Sequence, residues 1–86
     1  MNNIGSGKTE VFDVALVKKE MIANMLKEVS ASLEEKGYNS ISQIVGYIIS
    51  GEPGYISNYN DSRNKIRQYD RTEILAVILK TFLENA

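Results

Sequence analysis

Gly7, Lys8 and Thr9, within the stretch GSGKT, have the residue types that close a nucleotide-binding loop. Such a loop runs G-x-x-x-x-G-K-[ST] between a buried strand and a helix. Its backbone N–H groups cradle phosphates and its lysine reaches the outer ones. The first glycine of that pattern falls at position 2, which is Asn2, with a single residue before it. The rest of the chain lacks the alternation of strand and helix that builds a parallel sheet. The expectation is a flexible N-terminal arm over residues 1–12, whose Gly, Ser and Asn content and terminal position disfavour order.

The other chemistry-bearing residues are arginines. Arg63 and Arg67 are four apart and share a face of any helix through DSRNKIRQYD. Arg71 continues the spacing if the helix direction is kept across Asp70, and Lys65 adds charge nearby. Guanidinium presents a planar fork of donors suited to phosphate or carboxylate. The plainer reading is a solvated face, paired locally with Asp61, Asp70 and Glu73. Tyr55, Tyr59 and Tyr69 offer rings for base stacking, although tyrosines near helix ends more often pack by the ring and leave the hydroxyl wet.

An active site is not expected. The chain has no cysteine and no histidine, which removes disulfides, thiolate zinc sites, a cysteine nucleophile and the commonest general base. Glu34 and Glu35 are adjacent, so on a helix they point roughly 100° apart and cannot act as a pair. Met21 and Met25 belong to an apolar stripe. No catalytic residue, cofactor or metal is expected.

The elements that must position the arginines read as helices. Val14, Val17, Met21, Ile22, Met25, Leu26, Val29 and Leu33 recur at three- and four-residue spacing from about Val14 to Lys36. Asp13 is an expected N-cap, and Gly37 stands where a left-handed C-terminal cap is wanted. In SISQIVGYIISG, Ser40 and Gln43 have capping-box spacing, and Ile41, Ile44, Val45, Ile48 and Ile49 form the expected buried face. Gly51 closes that helix and Pro53 discourages its extension. A polar helix follows, with Asn60 and Asp61 as starters and Ile66 as nearly its only aliphatic anchor. The last helix begins at Asp70 and Glu73, again with capping-box spacing. Its expected buried face is Ile74, Leu75, Ile78, Leu79, Phe82 and Leu83. The fold class is therefore all-α: an arm over residues 1–12, then one small compact domain over residues 13–86 of about four to five helices.

Eighty-six residues suffice for one modest core. The net charge of −1 provides no global attraction to nucleic acid or an anionic membrane. No signal peptide or long apolar run is apparent, so the expectation is a cytoplasmic protein without membrane insertion.

LEEKGYNSISQIVGYIISGEPGYI, followed by DSRNKIRQYDRTEIL, resembles the IreB (ReoM) family of regulatory phosphoproteins of Gram-positive bacteria. The similarity runs from about Leu33 to Leu83. It implies a small all-helical homodimer without enzymatic activity, and a substrate of a membrane-anchored Ser/Thr kinase with extracellular PASTA repeats. The implied phosphorylation site is Thr9, with Phe12 following it, and Ser6 is a neighbouring hydroxyl. The implied partners are an adaptor or client of a Clp protease. The resemblance further implies that the unmodified form promotes proteolysis of the enzyme that commits precursor to peptidoglycan synthesis, and that phosphorylation relieves this and supports tolerance of wall-directed antibiotics such as cephalosporins. Arg63, Arg67 and Arg71 occupy the family's functional arginine positions. Ser40 replaces a usual proline, and Ser57 and Asn58 stand where the family carries proline and a basic residue, so one basic residue of the set is absent. The alternative is a small helix-turn-helix-like nucleic-acid-binding module, which the near-neutral charge disfavours.

Overall fold

The computed structural model describes residues 13–86; the GSGKT stretch, Thr9 and Phe12 lie outside the described residues. Helix α1 spans Val14–Glu35 and opens on Asp13, whose carboxylate accepts the Leu16 N–H at 3.2 Å. Its inward side is Ile22, Met25, Val29, Ser32 and Leu33, all buried. Gly37, at φ +87°, reverses the chain. The Gly37 N–H donates to Glu34 O and the Tyr38 N–H to Leu33 O. That is a Schellman closure, which leaves few of the helix's last carbonyls without a donor.

Helix α2 spans Ser40–Ser50, and here the structure corrects the expected cap. Asn39, not Ser40, holds the extended N-cap conformation, and its side chain accepts the Ser42 N–H at 3.0 Å. Ser40 takes the first helical position and turns inward, where its hydroxyl accepts from Ser30 Oγ at 2.8 Å. Gln43 reaches forward instead of back, donating to Tyr55 O at 2.8 Å. Gly51 ends the helix at φ +76° as expected. Two short 3-10 turns, Pro53–Tyr55 and Tyr59–Asp61, carry the chain to helix α3, Ser62–Arg67. Helix α4 spans Arg71–Glu84.

The architecture is all-α among the described residues, with α1 as the common wall against which α2, α3 and α4 each pack. Ile22, Met25, Val29 and Leu33 of α1 meet Ile44 and Tyr47 of α2, Ile66 of α3, and Ile74 and Val77 of α4. Ile56, fully buried, anchors the otherwise polar connection between the two turns.

Two expected buried faces are corrected. On α2 the inward residues are Ser40, Ile44 and Tyr47, while Ile41, Val45 and Ile49 form an outward ridge, Ile49 with 78% of its surface exposed. On α4 only Ile74 and Val77 are buried; Leu75, Ile78, Leu79, Phe82 and Leu83 are exposed, Phe82 to 67%. The cause is the width of the apolar stripes. Each helix meets α1 along one edge, so a stripe wider than that contact places its edge inside and its centre outside.

Ile66 is the single aliphatic anchor of α3 and is fully buried against α1. Ile66→Ala should cost about 2–5 kcal/mol, measured by urea unfolding followed by circular dichroism.

Candidate functional site

The three arginines lie in three different settings. Arg63, half-buried on α3, donates through Nε to Pro53 O at 3.2 Å and to Ile56 O at 3.0 Å. It thereby clasps the first 3-10 turn to α3. Arg67, one helical turn on, is exposed. Asp70 then adopts an extended backbone, φ −65° and ψ 141°, so α3 does not continue into α4. Arg71 consequently does not extend the Arg63/Arg67 face but stands as the first residue of α4. Its Nη1 donates to Ile48 O at 2.9 Å, at the C-terminal end of α2, where carbonyls lack helical partners and the helix dipole favours a cation. The guanidinium also covers Gly51: a Cβ built there would fall 2.8 Å from Arg71 Cζ.

The local pairing expected with Asp61, Asp70 and Glu73 is not what the structure shows. Among the described residues no arginine is ion-paired with a carboxylate. Glu73 pairs instead with Lys18 of α1 at 2.6 Å, Lys19 with Glu84, and Lys65 with Glu28. The Lys18 hydrogen bond holds the Glu73 carboxyl below its ordinary range, and the same bond raises the Lys18 ammonium. The Lys19 hydrogen bond likewise lowers Glu84. Asp61 is taken by Asn64 Nδ2 at 2.8 Å.

The remaining sequence candidates are also accounted for. Glu34 accepts the Ser40 N–H at 3.0 Å, which lowers its pKa, whereas Glu35 accepts from the Tyr59 hydroxyl at 3.0 Å. The two carboxylates therefore serve separate contacts. Tyr59 gives up its hydroxyl proton less readily because Glu35 binds the protonated form, and Lys36 sits 4.9 Å from its ring centre. Tyr55 lies across Gly46, with ring carbons 2.5 Å from where a Cβ would stand. Tyr69 is half-buried against the core. The tyrosines are thus individually engaged and do not form one stacking platform. Residues 51–61 separate α2 from α3, more than the turn of about three or four residues of a helix-turn-helix, whereas residues 68–70 alone separate α3 from α4. No helix among the described residues is long and apolar enough to cross a membrane.

Two features went unread in the sequence. One is the backbone-clasping role of Arg63 and Arg71, for which only the separation from Pro53 and Gly51 could have hinted. The other is a shallow cleft where Ile48 and Leu75 line the wall beside Arg71, joining the exposed apolar surfaces of α2 and α4. Arg63→Ala should cost on the order of 1–3 kcal/mol, because two carbonyls lose a charged donor. Arg67→Ala should stay within about 0.5 kcal/mol. Urea unfolding of the two variants checks the contrast.

A model of the IreB family, described as the IreB regulatory phosphoprotein, matches residues 7–84. That span takes in all four helices, the three arginines and position 9. By this match the chain belongs to the IreB family of regulatory phosphoproteins.

Proposed function

We propose that the protein is a non-enzymatic cytoplasmic switch, phosphorylated on Thr9 by a PASTA-domain Ser/Thr kinase. In its unmodified form it promotes Clp-dependent proteolysis of the enzyme that commits precursor to peptidoglycan synthesis. Phosphorylation relieves that effect and supports tolerance of wall-directed antibiotics. The observation that carries the reading is an exposed Arg67 without a carboxylate partner among the described residues, in a chain of near-neutral charge that belongs to a family of regulatory phosphoproteins.

The arginines divide the work. Arg67, exposed and making no ion pair among the described residues, is the side chain best placed to meet an acidic surface on an adaptor or client. Arg63 and Arg71 hold the frame around it through Pro53 O, Ile56 O and Ile48 O. Phosphothreonine adds about 1.5 to 2 negative charges and three acceptor oxygens, enough to alter access to such a surface. Incubation with the kinase followed by phosphopeptide mass spectrometry should place phosphate on Thr9 and none in Thr9→Ala. Arg67→Ala should lose adaptor or client binding in a pull-down while retaining the wild-type helical spectrum. Binding that survives this substitution would remove Arg67 from the partner surface.

The protein acts as a homodimer in this reading. The ridge of Ile41, Val45 and Ile49 and the face of Leu75, Ile78, Leu79, Phe82 and Leu83 expose more large apolar side chains than a small solvated monomer ordinarily does. Sedimentation at micromolar concentration should give a dimer, and Ile49→Glu together with Phe82→Glu should give a monomer. A wild-type monomer would count against the assembly.

A further inference from the structure

The N-terminal half of α1 and the length of α4 leave a groove between them. Its lining is apolar at Leu16, Ile22 and Val77, and small at Ala15 and Ala76. Its rim carries Lys18, Lys19 and Lys80, opposed by Asp13, Glu73 and Glu84. The two ion pairs that cross from α1 to α4, Lys18–Glu73 and Lys19–Glu84, lie on this rim. Lys80 stands beside Glu84 but makes no ion pair among the described residues.

Asp13 both begins the described chain and lines the groove. Val11 and Phe12 immediately precede Asp13, and Thr9 is four residues away. Four residues span at most about 14 Å. Lys18 and Lys19 lie only about 8–9 Å along the α1 axis from Asp13, before the length of their own side chains is counted. The arm therefore has the reach to fold back over α1, with an apolar pair next to the groove floor and a hydroxyl near its lysines.

We infer that the groove between α1 and α4 is the seat of the phosphorylated arm: Val11 and Phe12 cover its apolar floor, and the Thr9 phosphate is held by Lys18, Lys19 and Lys80. This rests on the reading of Thr9 as the modified residue and adds where its phosphate goes. Unmodified, the groove is electrically balanced, three lysines against three carboxylates. A phosphate with about 1.5 to 2 charges and three acceptor oxygens is a stronger lysine partner than a single carboxylate and displaces Glu73 and Glu84 toward solvent. Glu73 lies in the first turn of α4, two residues after Arg71. Freeing it from Lys18 acts on the same turn that Arg71 ties to the end of α2. The phosphate thus alters the arginine surface through the seating of α4, without occupying that surface.

The test uses the full chain with phosphothreonine genetically encoded at position 9, so that it does not depend on any kinase. The phosphate is titrated by phosphorus NMR beside a phosphorylated peptide of residues 1–13. In the peptide the second phosphate pKa should lie near 6; in the protein it should fall lower by about half a unit or more. Lys18→Gln, Lys19→Gln and Lys80→Gln combined should return it to the peptide value. The matching Lys→Arg set should keep it low. Lys80→Gln alone, which leaves both ion pairs intact, should recover part of the difference even if the triple variant does not fold. A phosphate that titrates as in the peptide, or a shift that survives loss of the lysines, overturns the proposal. A shift lost instead in Arg63→Gln, Arg67→Gln and Arg71→Gln moves the phosphate to the arginine surface and also overturns it. Failure of a kinase to modify Thr9 would show separately, by mass spectrometry, and would strike the phosphosite alone.

Discussion

One helix supplies the wall that every other element leans on. Ile22, Met25, Val29 and Leu33 of α1 lie at three- and four-residue spacing, and α2, α3 and α4 each bury only one or two large apolar side chains against them. A core this small leaves little surplus stability. Every segment that cannot bring its own aliphatic anchor must then be held by directed polar contacts. The wall fixes where those contacts fall.

The connection from Gly51 to Asp61 illustrates the consequence. It buries Ile56 alone, and the rest is held by clasps: Gln43 to Tyr55 O, Arg63 to Pro53 O and Ile56 O, and Tyr59 to Glu35. Asn60 and Asp61 both take left-handed conformations, at φ 55° and φ 62°. Asparagine and aspartate tolerate that region at a cost on the order of 1 kcal/mol each. Asn60 Nδ2 offsets part of this by donating to Ser32 Oγ at 3.1 Å on α1. The buried Ser62 hydroxyl donates back to Tyr59 O at 2.6 Å. The turn is thus strained but pinned at both ends, which sets the direction in which α3 carries Arg63 and Arg67.

The same economy leaves surface features with a functional reading. Helices that meet α1 along one edge cannot hide a wide stripe, so α2 and α4 each present an apolar ridge, and Ile48 and Leu75 meet in the cleft beside Arg71. The charged residues sort by geometry and not by proximity in sequence. Glu73, close to Arg71 along the chain, pairs with Lys18 across the α1–α4 groove instead. A guanidinium held by the Ile48 carbonyl at the end of α2 is not a freely presented partner contact, which distinguishes Arg71 from Arg67.

Helix existence, the Asp13 cap, the glycine stops at Gly37 and Gly51 and the family resemblance were all legible in the residues, because periodicity, capping chemistry and left-handed glycine are properties of neighbours along the chain. Ser40 against Asn39 was a choice between adjacent capping residues, and the pull of Ser30 and Glu34 on Ser40, contacts reached across the Gly37 reversal, decided it. Which half of each apolar stripe is buried could not be read from α2 or α4 alone, since periodicity defines a face but not the angle at which another helix meets it. The three arginines looked alike on a helical wheel; the extended backbone of Asp70 separated Arg71 from the others, and contacts seven to 23 residues away turned Arg63 and Arg71 into clasps. The sequence determined the elements and their ends, which are local, while only the tertiary structure decided rotation and partnership, because those depend on carbonyls and carboxylates brought close by packing against α1.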